Sequence, residues 1–388
     1  MKFDVAVVGG GAAGVDAAAA VRRHAPGASV ALISPEPDLL YRPWLVYLPA
    51  AAVPAKDLSI PLSGISSRHG FEHVQDGVSA VDMEAGELVL AATGERLGYG
   101  QLILAPGAPA DRQRIPGSDA HALFPCDPAE AQQLLDRLKA LTAGTVAFLL
   151  TGERIGPGLE YAGWVARAMR TAGRKDVSVI AVDHGDAMDR QFGTKAADRL
   201  VSVADSVGVH VVRNADVERI DEGGLVLAGS TVSADLVSVT SPLCGPDLGL
   251  PTELLDDHGL LRVDTTLAVP GLHNVFAAGD FSSVQGTAFE LPKTWIMARL
   301  QAETAGRNAA AALGGVSPAG LDMRRAARMA ALSMPDVGGR TLFVRNRKPV
   351  AGGRWPLKLR YRMDAKYLST YRDHPGAKRP ALQREFES

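Results

Sequence analysis

Phe3-Asp4-Val5-Ala6-Val7-Val8-Gly9-Gly10-Gly11-Ala12-Ala13-Gly14-Val15 opens the chain, and the order of residue types in this stretch decides the fold. Five apolar residues, Phe3 and Val5 to Val8, end in a glycine turn, and the alanine-rich run Val15 to Arg23 then has helical character. Gly9, Gly11 and Gly14 satisfy GxGxxG between a strand and a helix, the context that gives the pattern its meaning. The first glycine permits the tight turn, the second lets backbone approach a diphosphate, and the third draws helix and strand together. The helix N-terminus then faces the anion.

Outward from that turn, Ser29 to Ile33 reads as a second buried strand that closes a βαβ unit. Its end carries Ser34 and, two residues on, Glu36; either could meet a ribose hydroxyl, and Glu36 reads equally well as a surface residue. Asp57 to Asp82 and Gly86 to Leu90 have the mixed polarity of inserted hairpin strands, and Leu102 to Gly107 is a buried strand broken by a turn. From Asp127 the pattern restarts. A helix to about Leu141, a strand Thr145 to Leu150, a helix Leu159 to Thr171, strands Val177 to Val182 and Gly208 to Val212, and a polar hairpin around Asp221 to Ser230 repeat the opening plan. Near Pro251 the chain returns to the first domain, with a strand Leu272 to Phe276 and a long helix Thr294 to Leu313. In the last segment Trp355, Leu357, Leu359, Tyr361 and Met363 alternate with Lys358, Arg360 and Arg362, which predicts a strand with one apolar and one basic face. The expected fold class is α/β, with two Rossmann-like domains and a C-terminal mixed flap. The expected boundaries are residues 1–118 and 245–318 for a split first domain, 119–244 for the second, and 319–388 for a basic tail.

The chain has 388 residues, 46% hydrophobic and 22% charged, enough for more than one core. Its 41 basic and 43 acidic residues nearly balance, so bulk attraction to nucleic acid is not expected. From Leu321 to Ser388, however, 16 Lys or Arg stand against 6 Asp or Glu, a net of +10 that leaves −12 for the preceding residues. That tail suits an anionic membrane surface, an acidic protein partner, a second copy of the chain or a flap on its own core. Cys126 and Cys244, the two cysteines, have neither disulfide-framework nor metal-ligand spacing, so no metal is expected and a reducing, cytoplasmic setting fits. Met1 to Asp4 lead straight into the first strand, leaving no room for a cleavable leader, and no run of about 18 apolar residues occurs. Attachment to the inner face of a membrane would therefore be peripheral.

Three motifs taken together, the Gly9 to Gly14 turn, Leu104-Ala105-Pro106-Gly107, and Val275-Phe276-Ala277-Ala278-Gly279-Asp280, resemble the FAD-dependent pyridine nucleotide and disulfide oxidoreductase superfamily across nearly the whole chain. The resemblance implies non-covalent FAD. It implies that Gly279 and Asp280 hold the ribityl and diphosphate region, that Ala105, Pro106 and Gly107 line the FAD, and that Val78 meets the adenine edge through its backbone. A redox cysteine pair is absent, since no CxxC or CxxxxC occurs. The better likeness is to the branch of sulfide:quinone oxidoreductases, flavocytochrome c sulfide dehydrogenases and type II NADH:quinone oxidoreductases. Tyr41-Arg42-Pro43-Trp44 resembles that branch's aromatic-x-Pro segment, which implies flavin contacts for Arg42 and Pro43. Leu291-Pro292-Lys293-Thr294 resembles its Pro-Lys-Thr turn, which implies that Pro292 and Lys293 head a helix aimed at the flavin pyrimidine, where a lysine would stabilise negative charge.

Aligning Glu160-Tyr161-Ala162-Gly163 with the superfamily's "EFAG" places Glu153, Ile155 and Gly158 where a nicotinamide dinucleotide fingerprint has its three glycines. A carboxylate and a branched side chain there disfavour NAD(P)H, while Asp183 at the next strand end keeps a ribose-type acid. Arg154 to Tyr161 also resembles the sulfide-oxidising group's "RCPPGPYE", with Ile155 in place of the sulfur-attacking cysteine. Cys126 matches a further cysteine of that group, but no cysteine follows Cys244 to complete a relay. By resemblance Glu160 is the residue placed to handle protons at the flavin's reactive edge; the alternative is an exposed helix glutamate. The expected activity is transfer of two electrons from a small donor through FAD to a quinone-like acceptor, with Glu160, Lys293 and Cys126 as candidate catalytic residues. The rival readings are a flavoenzyme for a soluble organic substrate, an NAD(P)H:quinone reductase, and a non-catalytic FAD-binding module.

Overall fold

The computed structural model of the chain describes residues 1–152, 155–240 and 242–372. By internal contacts it divides into two compact units. The first comprises Met1–Tyr41, Ser59–Pro109 and Leu243–Ala330; the second comprises Arg42–Leu58, Ala110–Pro242 and the chain from Ala331.

In the first unit the opening strand Lys2–Val8 buries Val5 to Val8 and lies parallel to Val30–Ile33 on one side and to Arg96–Leu104 on the other. The sheet runs 72–74, 30–33, 2–8, 96–104, 87–90, 78–82. Along its far edge, Arg96–Leu104 pairs first antiparallel with Glu87–Leu90 and then parallel with Val275–Ala277. Only three residues separate Val74 on one edge strand from Val78 on the other. Five strand spacings measure about 24 Å, and four peptide units reach at most about 14 Å, so the sheet must curl until its edges approach. On one face, the helix Ala12–His24 packs on the helix Trp295–Leu313. The contact is close because both surfaces are small: a Cβ on Gly306 would lie 2.6 Å from the carbonyl oxygen of Ala17. Arg299 Nε donates to Asp16 across the same helix pair at 2.6 Å.

The second unit holds an all-parallel sheet in the order 209–215, 177–184, 144–150, 236–240, 122–123. The helix Ile155–Thr171 carries the chain from 144–150 to 177–184, and its Gly158 is where it touches the sheet: a Cβ there would overlap the Leu150 side chain and stand 2.8 Å from Thr240 Oγ1. An antiparallel three-stranded sheet, 217–221, 224–227 and 230–233, shares an apolar core with the strands through Phe124, Leu149, Ile220 and Leu225.

The C-terminal part of this unit corrects one expectation. Strands at 332–333, 336–337, 340–345 and 348–352 do form, but Arg354–Tyr371 is an 18-residue helix, not an alternating strand. Period two fitted the nine residues Trp355 to Met363. Over the longer span, the buried positions Leu357, Asp364, Leu368 and Tyr371 recur at spacings of three, four and seven, the signature of one helix face. Lys, Arg, Leu, Met and Ala fill most of the remaining positions and favour the helix.

Candidate functional site

In the first unit the glycine turn sits at the carboxyl ends of three adjacent parallel strands. Gly9 has φ +112°, and a Cβ on it would overlap the Ala105 carbonyl oxygen. A Cβ on Gly14 would overlap the Gly9 carbonyl oxygen, so the first and third glycines are required by the chain's own packing. Gly11 is different. It caps the helix Ala12–His24 with φ −76°, ordinary for any residue, and a Cβ on it would meet nothing within 4 Å. The helix has no side-chain cap and no acidic residue in its first turn, so its N–H groups open onto that space. The open face at Gly11 and the uncapped helix end together fit a dinucleotide diphosphate.

The 104–107, 275–280 and 291–294 segments converge on this turn. Gly279, φ +79°, lies against the helix so closely that a Cβ would stand 2.8 Å from Ala13 Cβ, which places Asp280 beside the cradle. Ala105 N donates to Val8 O at 2.8 Å and Ala278 N to Leu104 O at 3.0 Å, aligning Ala105-Pro106-Gly107 with the 278–280 turn. Ser34 is buried against the turn, its Oγ 2.5 Å from where a Cβ on Gly10 would be, whereas Glu36 is exposed two residues beyond. Ser34 N donates to Val74 O at 3.1 Å, and Val78 lies four residues on, where the sheet curls back. Lys293 Nζ donates to Ser282 O at 2.7 Å, and Gln301 Oε1 accepts from Gly279 N at 2.7 Å, so Lys293, next to Pro292, and the following helix pin the Asp280 turn from two sides. Thr294 caps that helix through Met297 N.

Arg42, Pro43, Cys126 and Glu160 belong to the second unit. Arg42 is exposed, and its Nη1 donates to the Cys126 carbonyl at 2.8 Å. Cys126 is partly exposed, as is Cys244, and precedes the helix Pro128–Ala140, whose N-cap is Asp127. Tyr161 OH donates to Pro125 O at 2.5 Å, which ties the Cys126 loop to the helix that bears Glu160.

Glu160 is 5% exposed, so it is not a surface helix residue. Arg360 grips both its carboxylate oxygens, one through Nη1 and the other through Nη2 at 3.1 Å, and Asp336 N donates to Oε1 at 2.8 Å. Asp336 Oδ2 accepts from Tyr47 OH at 2.9 Å and Tyr361 OH at 2.7 Å, and Trp44 Nε1 donates to Asp364 at 3.0 Å. Burial pushes the Glu160 carboxyl above its ordinary range while Arg360 pulls it back; burial likewise raises the Tyr47 and Tyr361 phenols. The sequence reading named Glu160 but missed Arg360, Asp336, Tyr47 and Tyr361. Helical spacing between Leu357, Arg360 and Asp364 was the signal that would have turned Arg360 inward.

Of the three fingerprint positions, Glu153 lies outside the described residues, as does Arg154. Ile155 is fully buried and its N–H donates to Gln191 Oε1 at 3.1 Å, while Gly158 keeps the close-packing role. Asp183 is fully buried. It accepts from Met188 N at 3.0 Å and from Arg213 Nε at 3.1 Å, and burial raises its carboxyl. Its two oxygens are thus committed inside the protein rather than presented to a ribose.

A model of the family described as pyridine nucleotide-disulphide oxidoreductase matches residues 3–302. The chain belongs to this family. It is an FAD-dependent oxidoreductase, and the open, uncapped helix end at Gly11 fits the diphosphate of that cofactor. Within the family, the type II NADH:quinone oxidoreductase Ndh of Mycobacterium tuberculosis is 26% identical over 354 residues, covering 80% of this chain and 74% of that protein. The mitochondrial sulfide:quinone oxidoreductase of Mus musculus is 24% identical over 308 residues, covering 73% of this chain and 66% of that protein. The solved sulfide:quinone oxidoreductase of Aquifex aeolicus shares the fold with a TM-score of 0.80 over 95% of this chain and 91% of its own, at 19% identity. These relatives match the branch whose motifs the sequence resembles.

Proposed function

We propose that this oxidoreductase moves two electrons from a small donor other than NAD(P)H, through FAD, to a quinone-like acceptor. The observation that carries the choice of donor is in the second unit: at the helix end where a second dinucleotide would dock, the Ile155 N–H is already bonded to Gln191, and Asp183 is enclosed by Arg213 and the Met188 N–H. The Ile155 donor and the Asp183 acceptor would each have to break those bonds to hold a nicotinamide dinucleotide. The quinone-like acceptor is supported by the named quinone-linked relatives. When bound, FAD supplies reversible two-electron chemistry. This chain's residues would hold its diphosphate at Gly11, fix the Asp280 turn through Lys293 and Gln301, and exclude the nicotinamide. The acceptor takes two electrons and two protons to become the quinol, and the donor loses the same.

The test is anaerobic stopped-flow absorbance of the purified flavoprotein. NADH and NADPH at millimolar concentration are expected to leave the flavin oxidised over minutes, and a soluble quinone is expected to reoxidise dithionite-reduced flavin within seconds. Rapid bleaching by NADH would make this a nicotinamide-driven enzyme, and failure of every quinone would remove the acceptor. Sulfide in a parallel arm reports whether a donor without a cysteine relay suffices.

We also infer peripheral attachment of the chain to the inner face of an anionic membrane. Among the described residues no helix is long and apolar enough to cross a membrane. One stripe of the C-terminal helix, Trp355, Leu359, Arg362 and Lys366, is exposed and spaced three to four residues apart, pairing apolar and basic groups as headgroup-level helices do. The double variant W355S/L359S should lower partition onto vesicles containing phosphatidylglycerol at least tenfold: Trp355 and Leu359 are 50% and 39% exposed, so each has about half of the roughly 1.5–3 kcal/mol of a full side chain left to gain, and tenfold is about 1.4. Unchanged cosedimentation would remove this face from consideration.

A further inference from the structure

The short helix Ala187–Phe192 follows the strand Val177–His184 in the second unit, and its polar groups bond to the carboxyl ends of that unit's parallel strands. An open α/β sheet holds its ligand at those ends. Met188 N donates to Asp183 Oδ1 at 3.0 Å, near the end of 177–184. Gln191 Oε1 accepts from Ile155 N at 3.1 Å, at the start of the helix that follows 144–150. Asp189 Oδ2 accepts from Arg213 Nη2 at 2.8 Å, on the neighbouring strand Val209–Ala215. Ala187, Met188 and Phe192 are buried and seat the helix through apolar contact. A hairpin tip holds it as well: Arg347 Nη2 donates to the Asp189 carbonyl at 2.8 Å, and a Cβ on Gly193, φ +78°, would overlap the Arg347 carbonyl oxygen.

We infer that Gln191 is the specificity-determining residue that keeps a nicotinamide dinucleotide out, its amide oxygen standing in for a diphosphate oxygen; this rests on the donor reading given above. The register of the two βαβ units carries the inference. Ile155 stands three residues before Gly158, as Gly11 stands three before Gly14, and both later glycines have the close-packing part, Gly158 against Leu150 and Gly14 against the Gly9 carbonyl. At Gly11 the helix end is open, whereas at Ile155 the corresponding N–H already has an acceptor. An acceptor tethered to the same chain acts at a high effective concentration, which a soluble ligand must outcompete. The other ties of the 187–192 helix, through Met188, Asp189 and the apolar side chains, do not involve Gln191. Trimming Gln191 therefore frees the Ile155 N–H and leaves the helix seated. Gly156, the next residue, is buried, yet a Cβ on it would meet nothing within 4 Å, so the described residues leave room beside this turn.

Calorimetric titration of the full flavin-loaded chain with ADP-ribose, which carries the diphosphate and adenosine but no reducing group, tests this, with anaerobic stopped-flow reduction by NADH in parallel. Wild type is compared with E153G, E153G/Q191A and E153G/Q191E; Glu153→Gly removes the carboxylate at the first fingerprint position from all three variants. E153G/Q191A is expected to bind ADP-ribose about tenfold more tightly than E153G, as follows when one internal hydrogen bond no longer competes, with flavin content and melting temperature unchanged. E153G/Q191E keeps an acceptor oxygen at the same reach and should bind no more tightly than E153G. A lost packing contact would open both Gln191 variants, and a lost acceptor opens the alanine variant alone. Equal affinity in E153G and E153G/Q191A, an equal gain in both Gln191 variants, or a melting temperature lowered by Gln191→Ala would each overturn the inference, and with a wild type inert to NADH the donor reading would stand. Rapid reduction of wild-type flavin by NADH would overturn both.

Discussion

Gly11→Asp should produce a folded protein that purifies without flavin. At Gly11 two requirements that usually coincide are separated. The backbone there is extended, φ −76° and ψ −180°, and a side chain would meet no protein atom within 4 Å. Aspartate is moreover a preferred N-cap, so the variant without flavin should gain on the order of a few tenths of a kcal/mol over the glycine cap. With a diphosphate in the cradle the same carboxylate faces a like charge about 4 Å away. At an effective dielectric constant of about 20 the repulsion is about 4 kcal/mol, close to a thousandfold in affinity. Flavin absorbance per protein should therefore fall to near zero while the flavin-free form melts above flavin-stripped wild type. Stoichiometric flavin in the variant would mean that the diphosphate does not lie against Gly11. Gly14→Asp cannot make this distinction, because its Cβ already overlaps the Gly9 carbonyl.

The contrast between these glycines shows what was legible in the sequence. The strand, the turn and the helix at residues 2–24 follow from local rules, and the structure keeps them. Gly9, Gly14 and Gly158 are needed for contacts inside the protein, whereas a side chain on Gly11 would meet no protein atom within 4 Å; the motif alone does not separate the two kinds. Asp183 looked like a ribose acid because strand-end position is a local property. Its commitment to Arg213 comes from a residue 30 positions away on the next strand. The Glu160 network was less accessible still, since it draws Tyr47, Glu160, Asp336 and Arg360 from four separated segments. The misread C-terminal helix has the same cause. Arg360 appeared to belong to a solvated basic face because its partner lies 200 residues earlier. Charge in a sequence marks a surface by default, and only the fold shows where a pair of opposite charges has been taken inside.

Arg360→Met should be the most destabilising single change in the second unit, and its cost should grow with pH. The substitution keeps an apolar stem but leaves the Glu160 carboxylate buried with the Asp336 N–H as its remaining partner among the described residues. Removing one partner of a buried pair costs about 3–5 kcal/mol, because the other charge stays desolvated. Burial already raises the Glu160 carboxyl and Arg360 opposes that rise, so without the guanidinium the native-state value climbs further above the unfolded one. A carboxyl raised in the native state binds more protons folded than unfolded. Its contribution is fully present below the unfolded value, about 4.3, and is lost as pH rises through the native one. Denaturant titrations should show a small gap between wild type and R360M at pH 5 and the full gap at pH 8. The double variant E160Q/R360M, with no buried charge at that site, should recover most of the stability and lose the pH dependence. If R360M is as stable as wild type at pH 8, Glu160 is hydrated in solution and free to exchange protons. If the double variant fails to recover, the carboxylate is needed for its bond to the Asp336 backbone, and the segment carrying Asp336 is held by Glu160 rather than by the charge pair.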